Sequence, residues 1–276
     1  MFFLAFSFAL ESTNVNFDIE YEIKPAGNVS ITLTTLIPNT ITNRQTIQSI
    51  FYSVKPVRVF NNDNNRYVVF SLQNFECKTN IVISVKALLY RADLDTAIKH
   101  SYPVTLVESS YRQRYLQAEK YIEADDPLII KTARKLKGKT DLETVSNIYS
   151  FVTKTVAYAG FIPEEMSALE VLSKKKTDCD GFASLFIALC RACELPSKFI
   201  DGFTLYKTDY PTHAWAECHV NNSWIRFDVT RRDLPILLNY YLQVSDKRTD
   251  IALNNWHYYF YKTRSNKVTV ELSVRF

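Results

Sequence analysis

The first part of the chain alternates apolar and polar residues in short runs that are separated by turn-forming residues. Such alternation, ended by Pro, Asn, Asp or Gly, is typical of β-strands joined by tight turns. Because Asn and Asp tolerate left-handed turns, residues 61–65 are predicted to be a loop between two strands. The pattern predicts a small β-sandwich over residues 13–108. Its predicted strands are residues 15–23, 29–36, 46–52, 67–72, 80–89 and 102–106.

The spacing changes near residue 109, where apolar positions begin to recur every three or four residues. Helices are predicted over residues 111–122 and 127–136, the second of which starts with an Asp-Pro pair typical of a helix N-terminus. Thr140 and Glu143 have the spacing of a capping box ahead of a further amphipathic helix. After one more helix the chain returns to strands. Residues 109–276 are therefore predicted to be a second domain, of α+β class.

The first residues of the chain form its most apolar segment. They resemble the remnant of a secretory signal, because the apolar run ends in the small-x-small sequence Ser7-Phe8-Ala9, although no basic residue precedes it. An ordinary N-terminal strand is the alternative. No apolar run reaches the ~20 residues needed to cross a bilayer. Residues 1–12 are predicted to be a signal remnant, and the protein is predicted to be exported to the periplasm, the cell surface or the medium.

Composition and charge indicate a folded protein and argue against one class of partner. Hydrophobic residues make up 47 % of the 276 residues and charged residues 22 %, so each part can bury a core. The net charge is +4, with basic and acidic residues interspersed, which argues against a nucleic-acid partner. The short basic cluster at residues 174–176 would support only a weak association with a cell envelope.

The cysteines do not form the pattern of a disulfide framework, because their number is odd and their spacing uneven. Cys190 and Cys193 have the C-x-x-C spacing of a metal site, for which Cys218 and His219 could supply two more ligands. This alternative is weak, since the first pair lies within a predicted helix and the second pair points to opposite faces of one strand. No calcium loop of the D-x-D-x-D-G kind is present, and neither a metal nor another cofactor is expected. The five cysteines are Cys77, Cys179, Cys190, Cys193 and Cys218.

Cys179 stands where a predicted helix begins. The apolar stripe of that helix starts at Phe182, and Thr177 or Asp178 can cap it. In the first turn, unpaired N–H groups and the positive end of the helix dipole favour a thiolate, so a lowered pKa is expected for Cys179. The alternative is a small buried core residue.

Residues 213–220 and 223–229 alternate as two strands of a hairpin around an Asn-Asn turn. In that register Trp215 pairs with Asp228, and His213 becomes a diagonal neighbour of Asp228 on the same face. A carboxylate that holds an imidazole in one tautomer allows the ring to take a proton from a thiol. The alternatives are a structural histidine and a capping aspartate. Together with a helix-start cysteine, the pair predicts a cysteine-dependent acyl-transfer site.

These segments, in this order, resemble the core of the transglutaminase-like superfamily. The resemblance covers residues 141–231 and is carried by residues 177–183, 189–202, 213–217 and 224–230. It implies a papain-like core for the second domain. It also implies that the cysteine attacks an amide carbonyl, that the histidine is the base and that the aspartate orients the histidine. These roles fall on Cys179, His213 and Asp228.

Two details of the resemblance concern residues near the cysteine. Members commonly have a glycine two places before it, where this chain has Thr177. An oxyanion site would use the backbone N–H of Cys179 and a side-chain donor. In relatives an upstream aromatic or amide residue supplies that donor, and Tyr158 is the candidate in this chain, with a core or surface tyrosine as the alternative.

The function implied by the resemblance is acyl transfer or hydrolysis at peptide or isopeptide amide bonds. Water as acceptor would give a protease or deamidase, and an amine would give cross-linking. The expected partner is a protein or peptide substrate, which the β-sandwich would position unless it is only a spacer. The alternative is a catalytically idle binding module of the cell envelope, since a fold does not dictate a function.

Overall fold

More of the described residues lie in β-strands than in helices. The computed structural model describes residues 12–91, 113–205, 212–221, 223–232, 240–248, 253, 257–264 and 268–276. The strands of the first part are β1 (Ser12–Pro25), β2 (Val29–Ile37), β3 (Gln45–Tyr52), β4 (Arg58–Asn62), β5 (Asn65–Phe75) and β6 (Thr79–Tyr90). Those of the second part are β7 (Ala157–Tyr158), β8 (Lys176–Thr177), β9 (Ser197–Thr204), β10 (Thr212–Val220), β11 (Ser223–Phe227), β12 (Tyr241–Ser245), β13 (Tyr259–Thr263) and β14 (Val268–Arg275).

Helices occur in the second part of the described chain. They are α1 (Pro127–Leu136), α2 (Asp141–Thr155), α3 (Ala168–Lys174) and α4 (Cys179–Ala192). Each begins at a side-chain cap that accepts a hydrogen bond from a backbone N–H group of the first turn. Among the described residues, none of the helices is both long and apolar enough to cross a membrane.

The predicted β-sandwich is confirmed. Two antiparallel sheets, with strand orders β14-β1-β6-β3 and β13-β2-β5-β4, share one apolar core. The core follows from the alternation in the sequence, because every second side chain of a strand points to the same face. Ile19, Leu33, Phe70 and Ile83 on four different strands are fully buried in it.

The last two strands return to the sandwich instead of ending in the second domain. Strand β14 pairs with β1, where Asp18 lies opposite Arg275, and β13 pairs with β2, where Tyr259 lies opposite Thr35. Strands β13 and β14, which lie in the part of the chain expected to form the second domain, therefore belong to the two sheets of the sandwich. Alternation indicates a strand and its buried face but not the sheet that the strand joins, so the sequence carried no signal for this return.

Four other predictions differ from the structure or cannot be compared with it. Residues 61–65 are not one loop, because β4 and β5 pair across a two-residue turn at Asp63 and Asn64. Residues 113–122 are helical only at residues 113 and 114, and Arg191 binds the carbonyl of Gln117 that a longer helix would have used. The predicted strand at residues 102–106 lies outside the described residues. So does the predicted signal remnant, except for its last residue, Ser12, which begins β1.

The second domain is an α+β unit, as predicted. Its antiparallel sheet has the order β11-β10-β9-β12, and α4 packs against β9 and β10. Helices α1, α2 and α3 pack around α4, which is buried along almost its whole length. The three central elements α4, β9 and β10 therefore form a rigid base for side chains at their ends.

The two domains are joined by a continuous core and by buried polar contacts. Phe203, Leu242 and Val244 of the second sheet pack into the apolar core of the sandwich. The side-chain amide of Gln45 donates to the carbonyl of Gln243 (2.9 Å) and accepts from the backbone N–H of the same residue (2.9 Å). This pair of hydrogen bonds satisfies both the side-chain amide and the backbone amide. It fixes the position of the sheet that contains β3 relative to the sheet that contains β12.

A buried ion cluster lies at the same junction. Glu217 is surrounded by Arg44 (3.3 Å), Lys198 (3.1 Å) and Arg226 (4.0 Å). Burial alone would raise the pKa of Glu217, but these three cations lower it to about 2. The carboxylate therefore stays charged at neutral pH and neutralises part of the positive charge that the junction buries.

Candidate functional site

Cys179 is the first residue of α4, as the sequence predicted. Asp178 caps the helix, because its carboxylate accepts from the backbone N–H groups of Gly181 (3.2 Å) and Ile162 (3.4 Å). The approach to the helix is tight, since a Cβ atom at Gly181 would lie 2.0 Å from Oγ1 of Thr177. Thr177, which stands where relatives commonly have glycine, is thus buried against the first turn of the helix.

His213 and Asp228 are neighbours, as the hairpin register predicted. Strands β10 and β11 pair with Val220 opposite Ser223, which carries the two side chains to one face. Asp228 Oδ2 lies 2.7 Å from His213 Nε2. The hydroxyl of Tyr241 donates to the same oxygen at 2.7 Å. Nδ1 is therefore the ring nitrogen that Asp228 does not occupy.

The carboxylate of Asp228 is held at both oxygens. Oδ1 accepts from the backbone N–H groups of Thr230 (3.1 Å) and Arg231 (3.1 Å), while Oδ2 contacts the imidazole. The residue is fully buried. Because a buried carboxylate with several donors cannot rotate without losing them, Asp228 fixes both the tautomer and the orientation of His213.

Cys179 reaches the strand that carries His213. The backbone N–H of Ala214, the next residue along the strand, donates to the sulfur of Cys179 and favours its thiolate form. Helix α4 packs on β10 along this edge. The structure thus brings the three predicted residues to one end of the α4–β10 contact.

The pKa of Cys179 is not lowered, contrary to the sequence-based expectation. Burial of the thiol, followed by the negative charges of Asp180 and Asp178, raises its pKa well above the ordinary value. The thiol donates a hydrogen bond to Asp180 Oδ1 at 3.6 Å. One carboxylate precedes the cysteine in the sequence and one follows it. Together with burial, their charges outweigh the effect of the helix dipole, which would lower the pKa. Cys179 is therefore a protonated thiol at neutral pH.

Tyr158 lies at the open side of the same region. Strand β7 pairs in parallel with β8, so that Tyr158 stands opposite Thr177. Burial of one side of the ring, followed by the charges of Cys179 and Asp178, raises the pKa of Tyr158, and the hydroxyl remains a donor. About half of the residue (55 %) is exposed, as is most of nearby Phe161 (78 %).

Asp180 belongs to a second group of charged side chains, which was not predicted from the sequence. Its members are Glu165, Asp180, Asp201, Arg248 and His257. Arg248, whose side chain is fully buried, lies 3.5 Å from Asp180 Oδ2 and also pairs with Glu165. His257 Nε2 lies 3.0 Å from Glu165 and 3.8 Å from Asp180. His257 Nδ1 lies 3.2 Å from Asp201.

Charges within this group determine the protonation of His257. Burial alone would lower the pKa of its imidazole, but the carboxylates of Asp201 and Glu165 raise that pKa to about 11. Likewise, burial would raise the pKa of Glu165, yet hydrogen bonds and charge from His257 and Arg248 lower it to about 2. The carboxylates thus favour the protonated imidazole, and His257 Nε2 also lies 2.6 Å from Nη1 of Arg248, so the two side chains form one contiguous group. The carboxylates that His257 contacts lie 56 to 92 residues away in the chain, which explains why no local motif marks this group.

Two sets of side chains could be considered for a metal. Donor atoms of Glu165, Asp180 and His257 lie within 4.8 Å of one another. The guanidinium of Arg248 already binds both carboxylates, so the positive charge that a metal would supply is present and the group fits a metal poorly. In the other set, Cys193 donates to the carbonyl of Ala133 (3.4 Å), and the ring of His219 packs edge-on against Trp224, with centroids 5.3 Å apart.

Comparisons with known proteins agree with this geometry. Residues 130–229 match the family model described as the transglutaminase-like superfamily. A stretch of 107 residues is 26 % identical to the kyphoscoliosis peptidase of Homo sapiens, covering 34 % of this chain and 16 % of that protein, so the chain spans only a small part of this relative. The fold is similar to the crystal structure of a candidate cysteine protease from Cytophaga hutchinsonii, with a TM-score of 0.66 and 20 % identity over 96 % of this chain and 93 % of that chain. Residues 130–229 of this chain are therefore similar to the transglutaminase-like superfamily.

Proposed function

We propose that this chain is a cysteine-dependent enzyme that transfers or hydrolyses acyl groups at peptide or isopeptide amide bonds. Cys179 is the nucleophile, His213 is the general base and Asp228 orients the histidine. The observation that carries the proposal is the 2.7 Å contact between His213 and the fully buried Asp228, next to the N–H of Ala214 that binds the cysteine sulfur. An oriented imidazole beside a helix-start thiol is the arrangement that acyl transfer requires.

The proton of the thiol moves during the attack and not before it. Since the pKa of Cys179 is raised, the resting cysteine is neutral, and His213 Nδ1 removes its proton as the sulfur bonds to the substrate carbonyl carbon. The carbonyl oxygen becomes an oxyanion that the backbone N–H of Cys179 and the hydroxyl of Tyr158 stabilise. The imidazolium then gives its proton to the leaving amine as the C–N bond breaks, which leaves a thioester on Cys179.

The acyl acceptor decides the outcome of the second half-reaction. His213 removes a proton from water or from an amine, which attacks the thioester and releases Cys179 as a thiol. The relative from Homo sapiens is named a peptidase, which favours water as the acceptor and a peptide as the substrate. Hydrolysis is accordingly the preferred form of the proposal, and amine transfer is its variant.

Intact-protein mass spectrometry after incubation with a peptide thioester tests the proposal. Because Cys77 is exposed, all variants carry Cys77→Ala, which leaves Cys179 as the accessible cysteine among those described. We expect a single acyl adduct that Cys179→Ala removes and that His213→Ala slows by about 100-fold or more. His219→Gln, on the same strand but away from the pair, serves as the matched control and should retain the adduct.

The idle binding module predicts a different result. If no adduct forms on Cys179, and if the rate at which iodoacetamide alkylates Cys179 is the same in the presence and absence of His213, the proposed enzyme is refuted and the binding module is supported. Alkylation is informative because it needs no knowledge of the natural substrate and depends directly on removal of the thiol proton.

A further inference from the structure

Two consecutive residues, His257 and Tyr258, contact both halves of the proposed catalytic site. We infer that they are positioning residues, in which Tyr258 fixes the backbone that carries His213 and His257 fixes the carboxylate of Asp180 beside Cys179. The inference rests on the proposed function, because it assigns these residues to the same site. It also gives the β-sandwich a role, since the two residues immediately precede the sandwich strand β13.

Tyr258 ties two strands together at His213. Its hydroxyl accepts from the backbone N–H of His213 (3.1 Å) and lies within donating distance of the carbonyls of Gly202 (2.9 Å) and His213 (3.2 Å). His213 and Gly202 face each other across β10 and β9. The ring of Tyr258 stacks on Phe203, with centroids 5.5 Å apart. One side chain thereby fixes the main chain at the residue whose ring must meet the sulfur.

His257 acts on the other half of the site. Its imidazole (3.8 Å) and the guanidinium of Arg248 (3.5 Å) lie next to Asp180 Oδ2, while Asp180 Oδ1 accepts a hydrogen bond from the thiol of Cys179. Two cations at one oxygen hold the carboxylate in place and offset part of its charge. Without them the full negative charge of Asp180 would act on the thiol and oppose formation of the thiolate.

The sandwich sets the conformation of this pair. The carbonyl of Tyr258 accepts from the backbone N–H of Leu36 (2.9 Å) and from Oγ1 of Thr35 (3.1 Å), both in β2. Tyr258 has a φ of 60°, a left-handed conformation that is unfavourable for a tyrosine and persists only where the surroundings enforce it. Hydrogen bonds from β2 hold this conformation, and they point the hydroxyl of Tyr258 at β10. The first domain is therefore a structural part of the site instead of a spacer.

Alkylation of Cys179 by iodoacetamide in the Cys77→Ala chain tests both residues. The quantity measured is the ratio of two alkylation rates, one with His213 intact and one with His213→Ala. Tyr258→Phe should reduce this ratio by about 10-fold. Tyr259→Phe is the matched control, because the hydroxyl of Tyr259 donates to the carbonyl of Val270 within the sandwich. This control should leave the ratio unchanged even if it lowers the melting temperature.

His257→Gln should shift the pH midpoint of the alkylation upward by about 0.5 to 1 unit, and His257→Lys should restore it. The imidazole resonance of His213, followed by NMR, reports on Tyr258→Phe without any reaction and should shift in that variant but not in Tyr259→Phe. An unchanged midpoint in His257→Gln together with an unchanged resonance in Tyr258→Phe would overturn the inference. A rate ratio of one in the parent chain would instead refute the proposed role of His213, and the midpoint and the resonance would still decide the positioning roles.

Discussion

Replacing Asp180 with asparagine should activate the cysteine thiol. Coulomb's law gives about 4 to 5 kcal/mol between a thiolate and a carboxylate at the observed Sγ–Oδ1 distance of 3.6 Å when the effective dielectric constant is about 20, and about 1 kcal/mol in bulk water. Arg248 and His257 offset part of this repulsion. At about 1.4 kcal/mol per pKa unit, we expect Asp180→Asn to lower the pKa of Cys179 by about 1 to 2 units.

The assay is the rate of Cys179 alkylation by iodoacetamide in the Cys77→Ala chain between about pH 6 and about pH 10. Each unit of lowered pKa increases the thiolate fraction at neutral pH about 10-fold but reduces the nucleophilicity of the thiolate about 3-fold. The net rate at neutral pH should therefore rise about 3- to 10-fold. Asp141→Asn, which removes a first-turn aspartate from α2, is the matched control and should change nothing. A pH midpoint that stays constant or rises in Asp180→Asn would refute the account of the raised pKa.

Three further predictions concern stability and the oxyanion. Gly181→Ala should lower the free energy of unfolding by about 1 to 3 kcal/mol, measured by urea denaturation, because its Cβ would collide with Thr177; a more stable variant would contradict this. The pKa of Glu217 is lower in the folded state, so its stabilisation is full above about pH 4.5 and is lost as the pH falls toward about 2. Glu217→Gln should thus cost about 3 kcal/mol at neutral pH and flatten the acid dependence of the melting temperature over that range; a parallel acid profile would contradict it. Tyr158→Phe should slow acylation by a peptide thioester about 100-fold while Cys179 alkylation stays constant, and equal losses in both would exclude an oxyanion role.

Local sequence signals predicted the parts of the site that depend on neighbouring residues. The turn between β10 and β11 sets the register of the hairpin, and alternation sets the face of each side chain. These local signals were sufficient to predict that His213 lies next to Asp228. The start of α4 was likewise predictable, because Asp178 caps it through its own first turn. Both features depend on contacts between residues that are close in the sequence.

Features that depend on long-range packing could not be predicted. The raised pKa of Cys179 reflects burial and the direction in which Asp180 points, and neither follows from the order of residues. Arg248 and His257 come from a part of the chain without a motif, and only the fold brings them to α4. The position of β13 and β14 in the sandwich was missed for the same reason, since alternation does not identify the partner strand.

The return of β13 and β14 has a consequence for how the protein is made. Strands β1 and β2 are synthesised well before their partners β14 and β13, as in the pairing of Asp18 with Arg275. Until β13 and β14 have been synthesised, two strand edges lack their neighbours and can pair with other nascent chains. We therefore expect the first domain to complete its folding only after β13 and β14 have left the ribosome, and slowly, because its final contacts close a long loop of the chain.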